Sequence, residues 1–189
     1  MEQFRSGLSK DYASVNLYFQ DESRFGPMTH VGTALTAKGV KPMVDYQQAF
    51  KNTYPYGSFS PIDGNNFVWE VEGIDTLVFE AYLKDFSACK PDEFKIVVMD
   101  NAGFHSTKNI EVPKNIALLR IPPYTPELNP AEKTWQYLKE RFKNKTFGNF
   151  KELKKWLHQI VVAEITNENV ASIVSNEFYA NTFKACFNL

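Results

Sequence analysis

A chain of 189 residues, 43 % hydrophobic and 15 % aromatic, fits one domain or one domain with a helical appendage, and it excludes a disordered protein. Its two cysteines, Cys89 and Cys186, lie far apart without a CxxC pattern, which argues against thiolate metal sites and for a reducing compartment. No apolar run approaches the length a bilayer requires, so a cytoplasmic protein without membrane contact is expected; the net charge of −1 gives no global reason to expect nucleic acid.

In chain order, residues 1–14 read as a polar lead-in. Val15–Gln20 alternates with aromatics and predicts a strand ending at Asp21-Glu22-Ser23. Residues 24–42 are rich in turn formers, and Met43–Phe50 reads as a further strand. Tyr54–Ser60 and Asn66–Glu72 flank Asp63-Gly64 as a hairpin. Ile74–Cys89 predicts an amphipathic helix with Leu77, Ala81, Tyr82, Leu83 and Phe86 on its apolar stripe. Phe94–Met99, β-branched with Lys95 its only charge, suits a strand buried on both faces, and Ile116–Ile121 is a second such run stopped by Pro122-Pro123. About fifteen residues separate these strands, enough for a short crossover helix and a parallel pair. Beyond Asn129 the pattern is helical over 130–144, 150–165 and 167–175, with an aromatic tail to Leu189. Ala131, Trp135, Leu138 and Phe142 share one helical face and predict core packing.

A sheet that begins antiparallel and ends in two parallel crossovers matches the ribonuclease H arrangement. The expected fold class is therefore α/β: a mixed five-stranded sheet flanked by helices, with a C-terminal helical extension. In that arrangement the first and fourth strands are neighbours, so Asp21 and Asp100 stand at adjacent strand ends, and Glu132 follows the fifth strand. Oxygen ligands from separated elements, without His or Cys, suit hard cations such as Mg²⁺ or Mn²⁺. A pair of such ions, about 3.5–4 Å apart, can activate a nucleophile and stabilise the leaving oxygen in phosphodiester displacement. Each carboxylate also has a structural explanation. Asp21 can simply end a strand, with Glu22 its competitor, since alternation lets only one face the site. Asp100 can form a turn with Asn101, and Glu132 can complete a capping box with Asn129 as N-cap and Pro130 at the first helical position.

The segments FQDESRFG, VMDNAGFH and PPYTPELNPAEKTWQYLK resemble the three signature blocks of the DDE transposases, in particular the mariner superfamily and its bacterial branch, the insertion sequence 630 group. Weaker agreement runs through AKGVKP and YGSFSPIDG. The resemblance implies a ribonuclease H-like catalytic domain over residues 15–145 followed by a helical extension over 146–189 packed on it. It implies metal-dependent cleavage and strand transfer of double-stranded DNA at transposon ends, two Mg²⁺ or Mn²⁺ ions held by Asp21, Asp100 and Glu132, and a homodimer in synapsis. Asn101 and His105, in the DN-x-x-x-H block, and Glu22 become candidates for orienting a ligand or touching a phosphate.

There are departures from the family pattern. The 31 residues between Asp100 and Glu132 are slightly few, and Leu35 stands where many relatives have tryptophan before the KG turn. Relatives carry helix-turn-helix modules upstream, whereas twenty residues precede Asp21; an excised catalytic domain, a split frame with an upstream helix-turn-helix polypeptide, and a remnant are all compatible. From Lys133 to Lys155 eight basic and two acidic residues give a local +6. It reads as a solvated helix face or as a phosphate-binding surface formed by Lys133, Lys139, Arg141, Lys143 and Lys145. Two other classes compete. A haloacid dehalogenase-type phosphotransferase is disfavoured because Ser23 occupies the place of its second aspartate. A catalytically silent, transposase-derived DNA-binding or assembly domain is countered by the intact triad.

Overall fold

The computed structural model describes residues 11–27, 36–41, 43, 51–100, 110–122 and 125–187. Five strands form one mixed sheet: β1 (Ser14–Glu22), β2 (Tyr54–Phe59), β3 (Asn66–Val71), β4 (Glu93–Met99) and β5 (Ile116–Arg120). Their spatial order is β3-β2-β1-β4-β5, with β1 antiparallel to β2 and parallel to β4, and β4 parallel to β5. This is the ribonuclease H-like arrangement expected from the sequence. Among the described residues the helices are α1 (Thr76–Cys89), α2 (Ala131–Phe142), α3 (Phe150–Glu164), α4 (Asn167–Val174) and α5 (Glu177–Phe187). None of them is long and apolar enough to cross a membrane. The strand expected over Met43–Phe50 and the crossover helix expected after β4 lie largely or wholly outside the described residues.

Strand alternation sorts the core into layers. Tyr18, Tyr56, Val97 and Met99 face α1, where Phe79, Tyr82, Leu83 and Phe86 cover them. Phe19 and Phe59 point to the opposite side and pack against Ala131, Trp135, Leu138 and Phe142 of α2, backed by Leu153, Leu157 and Val161 of α3 and by Val170 and Val174 of α4. Phe183 of α5 closes a third cluster over Phe94 and Ile96. The helices beyond residue 145 thus complete the core of the sheet rather than forming one of their own.

Lys95 explains how a charge survives inside a strand buried on both faces. Its ammonium donates to the carbonyl of Lys90 (2.6 Å), the residue capping the C-terminus of α1, and lies 3.9 Å from Glu93 Oε1. The negative end of the helix dipole and a carboxylate thus offset a burial that still holds the lysine below its usual pKa. At the β2–β3 turn Gly64 has φ +73°, and a Cβ there would lie 2.1 Å from the carbonyl oxygen of Asn167, so the turn needs glycine to dock on α4.

β1 ends at Glu22, within the expected Asp21-Glu22-Ser23, with Asp21 and Glu22 paired opposite Gly57 and Tyr56 of β2. One sequence expectation needs correction. The stripe on α1 is shifted, because Leu77 is 75 % exposed while Phe79, absent from the predicted set, is fully buried. Asp75 caps α1 by accepting from Val78 N, which starts the helix two residues later than expected and turns Leu77 outward. Leu77→Ser should therefore change stability by less than about 0.5 kcal/mol, whereas Phe79→Ala should cost about 3–5 kcal/mol, measured by urea unfolding.

Candidate active site

The strand ends position the carboxylates. On β1, Asp21 shares a face with Phe19 and so looks toward α2, while Gln20 and Glu22 share the face of Tyr18. The Gln20 side-chain amide donates to Glu22 Oε2 (3.4 Å), and the Glu22 charge adds to burial in raising the phenols of Tyr56 and Tyr82 beyond β1. The choice between Asp21 and Glu22 left open by the sequence therefore has a geometric basis. Asp21, Glu22, Ser23, Glu132, Trp135, Gln136 and Lys139 together line a cleft of about 260 Å³. Asp100 follows β4 immediately and is partly buried; its carbonyl accepts from the Arg120 guanidinium at 3.4 Å.

Electrostatics tie the three carboxylates together. Burial, then Glu22, and to a smaller degree Glu132 and Asp100, push the Asp21 carboxyl up from 3.8 to about 8, against a lowering backbone hydrogen bond. Glu132 is also raised, first by burial, with Glu127 and Asp100 adding and Lys139 opposing. Among the described residues no three acidic, histidine or cysteine side chains are gathered tightly enough to hold one ion as they stand. The donor chemistry nevertheless fits a hard divalent cation: the candidate ligands are oxygens only, they come from separate elements, and they concentrate negative charge that raises the Asp21 carboxyl. In the same cleft, Ser23 Oγ and Trp135 Nε1 are buried without a hydrogen-bond partner among the described residues.

The start of α2 keeps one half of the expected capping box. Pro130 already has helical φ and ψ, and Asn129, 6 % exposed, caps the helix by accepting the Ala131 amide on Oδ1 (3.1 Å), while among the described residues Glu132 makes no bond back to the Asn129 amide. Asn129 also donates Nδ2 to the Gln20 carbonyl of β1 (3.0 Å). The reciprocal arrangement appears at α3, where Asn149 Oδ1 accepts from Glu152 N and the Glu152 carboxylate accepts from Gly148 N, both at 2.9 Å. One residue before Asn129, the Leu128 carbonyl accepts from Tyr179 Oη of α5 (2.9 Å), whose ring lies 4.7 Å from that of Phe19.

Gly57, opposite Asp21, lets α2 approach. A Cβ there would fall 2.4 Å from Phe59 Cζ and 2.7 Å from Trp135 Cζ2. Sequence reading missed Gly57 and the linking role of Asn129; it had marked Trp135 for the core alone and Ser23 only to discount a rival fold. The one available signal was Asn129 beside Pro130, which was read as a cap. Asn101 and His105 lie outside the described residues.

The basic residues divide. Lys133, Lys143 and Lys145 are exposed and Lys139 lines the cleft. Arg141 is engaged within the fold, 3.0 Å from Glu164 Oε2 and 3.7 Å above the Tyr137 ring. Lys143 pairs with Glu140 at 2.5 Å, and Lys145 lies 5.7 Å from the Trp156 ring centroid.

A carboxyl whose pKa is raised on folding binds its proton more tightly in the native state, so stability falls as pH rises from about 4 to about 8. Without divalent ions the melting temperature should drop across that window. Asp21→Asn should flatten the drop and raise the melting temperature at pH 8, by about 2–4 °C per kcal/mol relieved, as calorimetry over pH would show.

Comparison with known proteins bears on the family and the fold. A family model described as DDE superfamily endonuclease matches residues 16–154. An uncharacterized protein of Sinorhizobium fredii (strain NBRC 101917 / NGR234), y4pE/y4sA, is 29 % identical over 102 residues, covering 53 % of this chain and 76 % of that protein. The Mos1 transposase paired-end complex with left transposon end matches with a TM-score of 0.64 at 15 % identity, over 99 % of this chain and 59 % of that one. The Mos1 mariner paired end complexes with Mn and with Mg match with TM-scores of 0.61, also at 15 % identity and over 99 % and 59 % of the two chains. The chain thus spans about three fifths of the Mos1 chains, and at that identity the likeness is one of fold. With the family model extending from β1 into α3, the chain belongs to the DDE superfamily endonuclease family.

Proposed function

We propose that this chain is the catalytic part of a transposase of the mariner superfamily, in the bacterial insertion sequence 630 group, that cleaves and joins DNA phosphodiesters at transposon ends. The observation that carries the reading is the meeting of Asp21 and Glu132 across one cleft, with the charge of Asp100 acting on both. Family membership supports it, as does the run PPYTPELNPAEKTW for the finer group. Residues 15–145 would form the catalytic domain and residues 146–189 the extension completing its core.

Asp21, Asp100 and Glu132 would hold two Mg²⁺ or Mn²⁺ ions, which supply a polarised water or hydroxyl nucleophile and stabilise the departing oxygen of the phosphodiester. The fold delivers the three carboxylates to the end of β1, the end of β4 and the first turn of α2. Lys139 faces the same cleft about two helical turns beyond Glu132, favours the charged form of that carboxylate and is placed to meet a phosphate oxygen. Ser23 and Gln136 offer further polar contacts there. Glu22, on the opposite strand face, tunes Asp21 through space, and Asn101 and His105 are proposed to orient a ligand or touch a phosphate. Synapsis of two ends would bring a second copy of the chain, and helix-turn-helix segments would supply end recognition.

In a Mg²⁺-dependent nicking assay, Glu132→Gln should abolish cleavage while leaving the melting temperature nearly unchanged, because α2 is not capped through Glu132. Cleavage surviving in this variant would overturn the assignment. No nicking by the unsubstituted chain with Mg²⁺ or Mn²⁺ would favour the catalytically silent reading.

Phosphate contacts give affinity without sequence information, so binding to random duplex at about 10⁻⁴–10⁻⁶ M and falling with salt is expected. Lys133→Glu and Lys145→Glu, at exposed positions, should weaken it equally on every sequence with little change in melting temperature. Arg141→Glu should lower the melting temperature, because it places two carboxylates together where Arg141 now meets Glu164. Fluorescence anisotropy beside thermal unfolding separates the two classes.

A further inference from the structure

We infer that Asn129 is a positioning residue that sets the span between Asp21 and Glu132 and thereby the affinity of the cleft for a divalent cation, an inference that rests on the function proposed above. One planar amide joins the residue before Glu132 to the residue before Asp21: Oδ1 accepts from Ala131 N at the start of α2, and Nδ2 donates to Gln20 O near the end of β1. The parallel register of β1 with β4 runs only to Phe19↔Val98, so the Gln20 carbonyl lies just past the end of that ladder and takes its bond from Asn129 instead. Pro130 follows with φ −65°, which removes a rotatable bond between the amide and Ala131.

A helix start needs only an acceptor at this position, and Asp, Ser and Asn serve it about equally. The second bond needs a donor on the same short side chain. Asp offers no donor, Ser does not present two polar atoms across an amide, and Gln is one methylene longer. The side chain is almost fully buried, so solvent cannot replace a lost bond freely. Separation of β1 from α2 by a fraction of an ångström would be felt directly at a metal, whose carboxylate bonds are about 2.0–2.6 Å long.

The test is Mn²⁺ binding to the full chain, measured by electron paramagnetic resonance and titration calorimetry alongside melting temperature. Asn129→Asp keeps the acceptor for Ala131 and should fold normally, yet lose about 10–100-fold in Mn²⁺ affinity, the range for groups that orient metal ligands. Raising Mn²⁺ should restore nicking to Asn129→Asp but not to Glu132→Gln, since one variant loses position and the other a ligand. Should Asn129→Asp unfold, Asn129→Ser is measured in the same way. Wild-type Mn²⁺ affinity in the folded variant would overturn the inference while leaving the metal site intact. Mn²⁺ binding unaffected by Asp21→Asn and Glu132→Gln would overturn the metal site itself, and the inference with it.

Discussion

Negative charge held in one place is the constraint on which this structure turns. Asp21 loses hydration on burial and feels the charge of Glu22 and, to a smaller degree, of Glu132 and Asp100. The scaffold resists the repulsion with apolar contact directly beneath it. Phe19 precedes Asp21 by two residues, Trp135 follows Glu132 by three, and Phe59 and Trp135 meet edge to face with centroids 5.3 Å apart. Each buried aromatic contributes on the order of 1.5–3 kcal/mol, enough together to hold two acidic ends in register. Gly57 belongs to the same balance, since its missing side chain is what lets Trp135 reach the sheet.

Strand alternation then assigns roles to adjacent residues. Along β1, Leu17, Phe19 and Asp21 form one series, and Asn16, Tyr18, Gln20 and Glu22 the other. The first series ends in the cleft. The second builds a polar and aromatic seam under α1, in which Tyr18 Oη donates to Glu93 Oε1 (2.8 Å) and the Asn16 amide donates to Asp63 Oδ2 (3.0 Å). Glu22 ends the second series yet still reaches the rim of the cleft beside Asp21, where its charge raises that carboxyl. Parity along the strand thus sorts the buried residues cleanly, and loosens where the strand runs out.

Much of the fold was legible because its signals are local. The hairpin around Asp63-Gly64, the buried run of β4 and the face formed by Ala131, Trp135, Leu138 and Phe142 follow from periodicity and turn chemistry alone. The errors share one cause, which is that capping side chains choose partners in three dimensions. Asp75 started α1 late and turned Leu77 outward. Asn129 does cap α2, as its place before Pro130 suggests, but its donor reaches a strand 109 residues away, and the glutamate half of the box forms at Glu152 instead. Likewise, Arg141 in a run of basic residues suggests a phosphate contact; only the packing of α2 on α3 reveals Glu164 beside it. The tail to Leu189 reads as part of a helical extension without bounds of its own, because Tyr179 and Phe183 of α5 pack against β1 and β4 while Phe178 stays exposed, which leaves no clean helical stripe.

The hydrogen bond from Tyr179 to Leu128 gives the molecule a temporal property. Strand β1 leaves the ribosome early, α2 much later, and the helix that braces the approach to α2 later still. Pairings between such distant segments form slowly, because a long loop must close before any contact rewards it. A nascent chain that has exposed Asp21 therefore lacks the cleft until α2 docks beside β1, and the approach to α2 is braced only once α5 has been made. Order of synthesis and order of assembly coincide here: the acidic strand end waits for its covering helix, and the covering helix waits for its brace.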